Sequence, residues 1–211
     1  REITAKTFQR GIEAVNTHYK IIRELDAKNI MAFGTSALRS AKKGKLFIST
    51  VRKNTGIDVQ IISGDKEAEL IYYGVRQTID MSDQNYLLLD IGGGSNELIV
   101  ADKEKIFWKR SYNLGIARLL DKFNPSDPIS HDEITNITSY LSEKISDLIE
   151  IVKVYNVSTL IGASGSFETF EAMLRAEEKE IETETALEPK SIAIGIEEFD
   201  FLYNKLIAST I

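Results

Sequence analysis

A glycine-rich segment between acidic residues is the part of this sequence best suited to chemistry. Residues 90–97 read Asp-Ile-Gly-Gly-Gly-Ser-Asn-Glu and lie between two apolar runs, 86–89 and 98–100. Glycine lacks a Cβ, so its backbone can adopt positive φ and its N–H groups can point together at an anion. An ionised carboxylate such as Asp90 suits a hydrated Mg²⁺ that would neutralise the same anion. The segment therefore predicts a phosphate-binding turn between two strands.

Two better-known phosphate loops do not fit this segment. A Walker A loop needs Gly-Lys-Ser/Thr at the start of a helix, and that tripeptide does not occur in the sequence. A dinucleotide fingerprint would need glycine where Glu97 stands. The remaining alternative is a tight β-hairpin with spare glycines, although consecutive glycines weaken a strand unless something approaches the backbone closely.

Three further segments could take part in phosphate chemistry. Residues 63–69 place carboxylates in the first turn of a predicted helix, where Glu67 taken alone is typical of dipole stabilisation. Residues 162–166, Gly-Ala-Ser-Gly-Ser, join a strand to a helix and offer N–H groups to an anion, as a generic connection also would. Arg39 could bind a phosphate through two hydrogen bonds, whereas a lone arginine on a helix is usually solvated.

Composition excludes several classes of site and partner. The chain has no cysteine, which excludes disulfides and thiolate metal sites and favours a reducing, cytoplasmic location. It has two histidines, so a metal would be bound by oxygen ligands. The net charge of −6 argues against nucleic-acid binding. No apolar run approaches the roughly 18 residues of a membrane span, so no membrane partner is expected.

Alternating helices and strands are predicted to position these segments. Apolar residues at 8, 12, 15, 19 and 22 follow the period of a long helix. The predicted strands are 30–33, 59–62, 86–90, 97–101, 106–112 and 158–161, and the later helices are 46–54, 65–76, 116–123 and one from a capping box at Ser130 to about 155. The helix 46–54 is predicted to stop at Gly56. The polar segment 80–85 predicts a boundary between domains 1–82 and 83–211. The glutamate-rich run 177–188 predicts a solvated helix end and loop.

Taken together and in order, these segments resemble the exopolyphosphatase and guanosine-pentaphosphate phosphohydrolase family. The matching residues are Thr35-Ser36-Ala37-Leu38-Arg39, Ile62-Ser63-Gly64 with Glu67-Ala68, Asp90–Leu98, Leu114-Gly115 with Arg118-Leu119, and Gly162–Ser166. This family belongs to the actin, sugar-kinase and acetate-kinase superfamily, whose two lobes close over phosphates. The resemblance implies an α/β, ribonuclease-H-like two-lobe fold.

The resemblance also implies a role for each matching residue. Glu67 would be the catalytic base that activates water, and Asp90 and Glu97 would hold Mg²⁺, or Mn²⁺ in its place, together with water. The phosphate-binding residues would be Gly92, Gly93, Gly94, Ser95, Arg39, Ser164, Gly165 and Ser166. The implied reaction releases phosphate from the terminal phosphoanhydride of inorganic polyphosphate or guanosine pentaphosphate. A kinase-like phosphotransferase that uses ATP and a non-catalytic phosphate or nucleotide sensor are the alternatives, and a homodimer is compatible with the sequence.

The sequence departs from the family pattern in several places. An Asp-x-Gly-Ser-Asn-Ser motif, usual in the family's first hairpin, does not occur. We therefore expect a fragment that lacks the first strands of lobe one and the end of lobe two. Glu69 stands where arginine is common, which removes a cation near the expected phosphate path. The basic runs 42–45 and 52–53 predict one wall of a polyphosphate channel, with solvated helix faces as the alternative.

Overall fold

Helices and strands alternate along the chain of this α/β protein. The computed structural model describes residues 2–81, 84–177 and 191–210. The elements are α1 (Ala5–Glu24), β1 (Ala32–Gly34), α2 (Ser36–Ser40), α3 (Gly44–Thr55), β2 (Val59–Ile61), α4 (Gly64–Thr78), β3 (Tyr86–Ile91), β4 (Asn96–Ala101), β5 (Ile106–Tyr112), α5 (Ile116–Phe123), α6 (His131–Lys144), α7 (Ser146–Val154), β6 (Thr159–Ala163), α8 (Gly165–Glu177) and α9 (Ile196–Ala208). The glutamate-rich run beyond Glu177 lies outside the described residues.

The chain divides into two compact units, Arg1–Glu67 and Ala68–Ile211. The division falls within α4, earlier than the predicted boundary between residues 82 and 83. The reason is that Ala68 and Tyr72 of α4 are buried in the core of the second unit. The polar segment 80–85 follows α4, so it comes after residues that already belong to that core. The predicted assignment of 1–82 and 83–211 to two lobes stays a prediction.

The first unit is built on a helix pair and a short parallel sheet. Strands β1 and β2 pair in parallel, with Ala32 opposite Val59. The predicted apolar stripe of α1 is confirmed, because Ile12 is buried against Val51 of α3. The helix α3 ends where the sequence predicts, at Gly56, which caps it with a φ of +75°.

The second unit is built on a four-stranded mixed sheet of order β5-β4-β3-β6. Strand β3 runs parallel to β6 and antiparallel to β4, and β5 runs antiparallel to β4. One face of the sheet packs Leu88 and Ile99 against α4, and the other packs Leu89 and Leu98 towards Leu148 of α7. Side chains alternate between faces along a strand, so residues 86, 88 and 90 lie on the face that carries α4.

One predicted helix is wrong in its extent. The sequence predicts a single helix from the Ser130 capping box to about residue 155, whereas the structure ends α6 at Lys144 and begins α7 at Ser146. Ile145 interrupts the helix with a ψ of 19°, and its side chain packs into the core cluster that contains Leu148. The capping box itself is confirmed, and hydrogen bonds from the Ser126 hydroxyl and from Ser130 lower the pKa of Glu133 to about 2.

No helix in the described parts of the chain is both long enough and apolar enough to span a membrane.

Candidate active site

Two acidic residues and a serine form a row across three strands of the second unit. Asp90 on β3 is directly opposite Glu97 on β4, and Glu97 is directly opposite Ser111 on β5. Ala163 on β6 continues the row on the other side of Asp90. Residues directly opposite each other in an antiparallel pair share a face, with Cβ atoms about 4.5–5.5 Å apart. The sheet register therefore places the two predicted metal-binding carboxylates side by side.

Glu97 is buried, with a relative exposure of 1%. The Ser111 hydroxyl donates a hydrogen bond of 2.6 Å to Oε1 of Glu97. A buried carboxylate is costly unless hydrogen bonds stabilise it, so this contact holds the side chain in a defined orientation. No motif in the sequence points to Ser111. The strand 106–112 was predicted, but only its register with β4 shows that Ser111 faces Glu97.

The carboxylate pair fits a magnesium ion that substrate helps to bind. Mg²⁺ prefers oxygen ligands and is usually held by one or two carboxylates, with waters and substrate phosphates completing the shell. Asp90 and Glu97 supply two such carboxylates on one face. Among the described residues, no group of three or more acidic, histidine or cysteine side chains could form a complete protein cage. The donor set thus suits a site that is completed by phosphate and water.

The glycine-rich turn joins β3 to β4, as predicted. The reason why it requires glycine differs from the predicted one. Positive φ is expected at these glycines, and that expectation is wrong, because in the described part of the chain only Gly56 among the glycines has a positive φ. Close approach restricts Gly92 instead, since a Cβ there would lie 2.7 Å from the Ser95 carbonyl oxygen. The Gly92 N–H donates to that same oxygen at 3.0 Å and closes the turn.

The carbonyl side of the turn is fully hydrogen-bonded. The N–H groups of Ile116 and Ala117, at the start of α5, donate to the carbonyls of Gly92 and Gly93 at 3.0 Å each. Nε of Arg118 donates to the carbonyl of Gly94 at 2.6 Å. The amide N–H groups of Gly93, Gly94 and Ser95 have no hydrogen-bond acceptor within the described residues. The turn is therefore able to offer three N–H groups to an anion.

The strand–helix connection 162–166 lies at the same edge of the sheet as the glycine turn. Strands β3 and β6 are parallel neighbours, so both connections follow carboxyl ends, where ligands commonly bind in α/β sheets. The Ser166 hydroxyl donates a long hydrogen bond of 3.5 Å to the carbonyl of Ile91. Ser164 has a φ of +80°, which is strained for a residue with a Cβ. Ser164 and Gly165 are exposed to solvent.

In the first unit, two other predicted site residues form a pair. Nη1 of Arg39 lies 3.3 Å from Oε2 of Glu67 and donates a shorter hydrogen bond of 2.6 Å to the carbonyl of Ile62. The exposed fractions of the two side chains are 28% for Arg39 and 18% for Glu67. The Ser63 hydroxyl accepts a hydrogen bond from Lys66, which caps the first turn of α4. Arg39, predicted as a phosphate clamp, therefore also orients the predicted base.

Two charged residues singled out in the sequence, Lys43 and Glu69, each contact a residue of opposite charge. Lys43 forms an ion pair of 2.7 Å with Glu2 and lowers the pKa of that carboxyl by hydrogen bonding. Glu69, where the family commonly has arginine, accepts a hydrogen bond from Lys109 of β5. Lys42 and Lys45 are exposed, which fits both a channel wall and a solvated helix face. The predicted polyphosphate channel stays a prediction.

Comparison with known proteins identifies a family for this chain. The model of the Ppx/GppA phosphatase family matches residues 2–207. A guanosine-5'-triphosphate,3'-diphosphate pyrophosphatase of Photobacterium profundum is 26% identical over 176 residues, covering 83% of this chain and 35% of the relative. An exopolyphosphatase 1 of Mycobacterium tuberculosis is 31% identical over 146 residues, covering 69% of this chain and 42% of the relative.

A solved structure agrees closely with the fold. The crystal structure of an exopolyphosphatase from Cytophaga hutchinsonii superposes with a TM-score of 0.92 and 34% identity over 99% of this chain and 66% of that one. This agreement confirms the predicted α/β, ribonuclease-H-like fold class. The chain spans between about a third and two thirds of the length of these relatives.

Proposed function

The chain belongs to the Ppx/GppA phosphatase family, and from that premise we propose that the protein hydrolyses a terminal phosphoanhydride with the help of Mg²⁺. The proposed substrates are inorganic polyphosphate and guanosine pentaphosphate, because the relatives are named for these two activities. The observation that carries the proposal is the Asp90–Glu97 pair beside a turn with three available N–H groups. These features combine a place for a divalent cation with a place for a phosphate.

The glycine turn would bind the terminal phosphate. Backbone N–H groups that converge on one point form an anion-binding concavity without any charged side chain. Here the N–H groups of Gly93, Gly94 and Ser95 would donate to phosphate oxygens. Ser164, Gly165 and Ser166, at the same edge of the sheet, would add polar contacts to the same substrate.

Asp90 and Glu97 would hold the metal ion. Mg²⁺ at this position would neutralise charge on the phosphate oxygens as the anhydride bond breaks. Ser111 keeps the Glu97 carboxylate in a fixed orientation through its hydrogen bond to Oε1. Mn²⁺ prefers similar oxygen ligands and would bind the same pair of carboxylates.

Glu67 would accept the proton of the attacking water. The water oxygen bonds to the terminal phosphorus, the bridging P–O bond breaks, and the shortened chain leaves with its bridging oxygen. Only an ionised carboxylate can take up the water proton, and Arg39 presents a complementary charge to Glu67. Phosphoryl transfer passes through a loose transition state, so positioning of water and phosphate supplies most of the catalysis.

Phosphate release by the full-length protein tests this proposal. Polyphosphate and guanosine pentaphosphate are each incubated with Mg²⁺, with and without an acceptor alcohol, and free phosphate and phosphorylated acceptor are quantified. We expect free phosphate from at least one substrate without an acceptor, loss of activity on chelation and its recovery with excess Mg²⁺. Phosphate that reaches product only through the acceptor would identify a kinase-like enzyme. Binding without turnover would identify a sensor, and either result would contradict the proposed hydrolysis.

A further inference from the structure

We propose that residues 115–118, here called the α5 brace, orient the glycine turn for phosphate binding, with Arg118 as a positioning residue. The inference rests on the proposed function and adds a positioning segment to the residues that have roles there. The family pattern includes Leu114-Gly115 and Arg118-Leu119, to which the resemblance gives no role. The structure places this segment directly against the carbonyl side of the turn.

The peptide geometry explains why binding the carbonyls matters. In a trans peptide unit, the carbonyl of one residue and the N–H of the next lie in one plane and point in opposite directions. The brace fixes the orientation of three successive peptide units, because it donates hydrogen bonds to the carbonyls of Gly92, Gly93 and Gly94. The N–H groups of the same three units belong to residues 93, 94 and 95. These N–H groups therefore point away from the brace, and they have no acceptor within the described residues.

The start of α5 provides two of the three donors. The first N–H groups of a helix lack intrahelical partners, and they often bind an anion directly. Here the N–H groups of Ile116 and Ala117 are already used on carbonyls of the turn. The helix start thus acts on phosphate through the turn and does not contact it as a separate anion site.

The contact between the brace and the turn is close enough to require glycine. A Cβ on Gly115 would lie 2.4 Å from the Gly94 nitrogen, and the obstructing atoms are backbone atoms that cannot rotate away. Asn96 at the start of β4 adds a further connection, since its Nδ2 donates to the Leu114 carbonyl at 3.3 Å. The residue that precedes the brace is therefore also bonded to the strand that follows the turn.

Arg118 provides the third donor. Its Nε donates to the Gly94 carbonyl at 2.6 Å, and a hydrogen bond from a charged donor is stronger than one between neutral groups. The structure shows no ion pair between Arg118 and an acidic residue of the described chain. Its side chain is half-buried, and the polar contact that orients it within the described chain is the hydrogen bond to the turn. This bond controls the peptide unit whose N–H belongs to Ser95.

Binding of inorganic phosphate tests the brace. In the full-length protein with Mg²⁺, we expect Arg118→Met to weaken phosphate binding by about tenfold in calorimetry. We expect kcat/KM to fall by about 10²-fold, the cost of a misplacement of about 1 Å. The Mn²⁺ affinity measured without phosphate should not change, whereas a general loss of structure would lower it. Arg175→Met, on α8 and paired with Glu171, is the matched control and should behave like the wild type.

Two further measurements keep the test decisive. Phosphate titration of the wild type should shift the backbone amide NMR signals of Gly93, Gly94 and Ser95, and unchanged signals there would overturn the inference. Gly115→Ala should weaken phosphate binding as Arg118→Met does, so wild-type phosphate affinity in either folded variant would also overturn it. A wild type that binds phosphate through these amides but hydrolyses nothing would refute the proposed function and leave the brace in place.

Discussion

Glu67 of the first unit and Glu97 of the second are both carboxylates with proposed catalytic roles, but they are held in opposite ways. Glu97 projects from an inner strand, is 1% exposed and accepts a hydrogen bond from the neutral hydroxyl of Ser111. Glu67 lies in the first turn of a helix, is 18% exposed at its side chain and faces the guanidinium of Arg39. The Ser111 hydroxyl and the Arg39 guanidinium differ in charge, and the two carboxylates differ in access to water.

This difference indicates a division of labour. A hydroxyl orients a carboxylate without adding positive charge, which suits a residue whose own negative charge attracts a metal ion. A guanidinium supplies positive charge beside the carboxylate, which makes a second cation at that point less favourable. Partial exposure gives Glu67 access to a water molecule, whereas the buried Glu97 requires the ion to come to the sheet edge. These contrasts support the proposed roles, proton transfer for Glu67 and metal binding for Glu97.

The largest expected effect is that of Glu67→Gln. The amide keeps the shape of the side chain but cannot accept a proton from water, so we expect kcat to fall by about 10²–10⁴-fold. Mn²⁺ affinity, measured by electron paramagnetic resonance, should remain that of the wild type. Near-wild-type turnover would return Glu67 to a helix-stabilising role, and a parallel loss of Mn²⁺ affinity would erase its distinction from Glu97.

A smaller effect is expected for Ser111→Ala. Removing the hydroxyl takes one hydrogen bond away from Oε1 of Glu97, and loss of a partner that orients a metal ligand typically costs about 10–100-fold in metal affinity. Mn²⁺ binding in the absence of substrate is the readout, with activity against Mg²⁺ concentration as the second. Ser111→Thr retains a hydroxyl and should recover most of the affinity. Ser49→Ala, which removes a hydroxyl bonded within α3, is the control. Unchanged Mn²⁺ affinity in Ser111→Ala would mean that Ser111 does not support a metal site.

The smallest expected effect concerns long-range attraction of the substrate, in which neither carboxylate is proposed to act. Reversing Lys42, Lys43 and Lys45 to glutamate should raise KM for long polyphosphate by about tenfold, because local positive charge attracts a polyanion to a chain of net charge −6. The KM for guanosine pentaphosphate and kcat should change much less. Salt should reduce the difference, since the Debye length in physiological buffer is only about 8 Å.

A matched charge change decides whether position matters in this last experiment. The exposed lysines Lys6, Lys20 and Lys28 lie in the same unit and can be reversed together. If both triple variants raise KM equally, net charge explains the effect and the predicted channel wall is wrong. If neither variant affects polyphosphate, residues 42–45 are a solvated helix face, and guanosine pentaphosphate becomes the better candidate substrate.

Local sequence patterns predicted most of the fold. The helix α5 has the predicted limits, 116–123, and the predicted stop of α3 at Gly56 is confirmed. Such features depend on apolar period, caps and glycine, which act within a few residues. The break at Ile145 was not predicted, because Ile145 packs against a core cluster that includes residues distant in sequence, such as Leu98. Helix α9 was not assigned from the sequence.

The residues of the candidate site could be predicted from the sequence, but the contacts between them could not. The motifs pointed to Glu67, Asp90, Glu97 and the glycine turn, and to Arg39 as a phosphate ligand. The pairing of Arg39 with Glu67 joins residues 28 positions apart, and the hydrogen bond from Ser111 to Glu97 spans 14. Each contact joins two different secondary-structure elements, so the periodicity within one helix or strand could not have predicted it.

By itself, the sequence determined the α/β class, the resemblance to a phosphatase family, the oxygen-donor character of any metal site and the presence of a turn suited to phosphate. The tertiary structure alone decided how that turn is held. Its glycines do not adopt positive φ, and their carbonyls are held by the start of α5 and by Arg118. The physical reason is that composition and spacing determine which groups are available, whereas strand register and helix packing determine which group faces which. Only the second decides the direction of an N–H group.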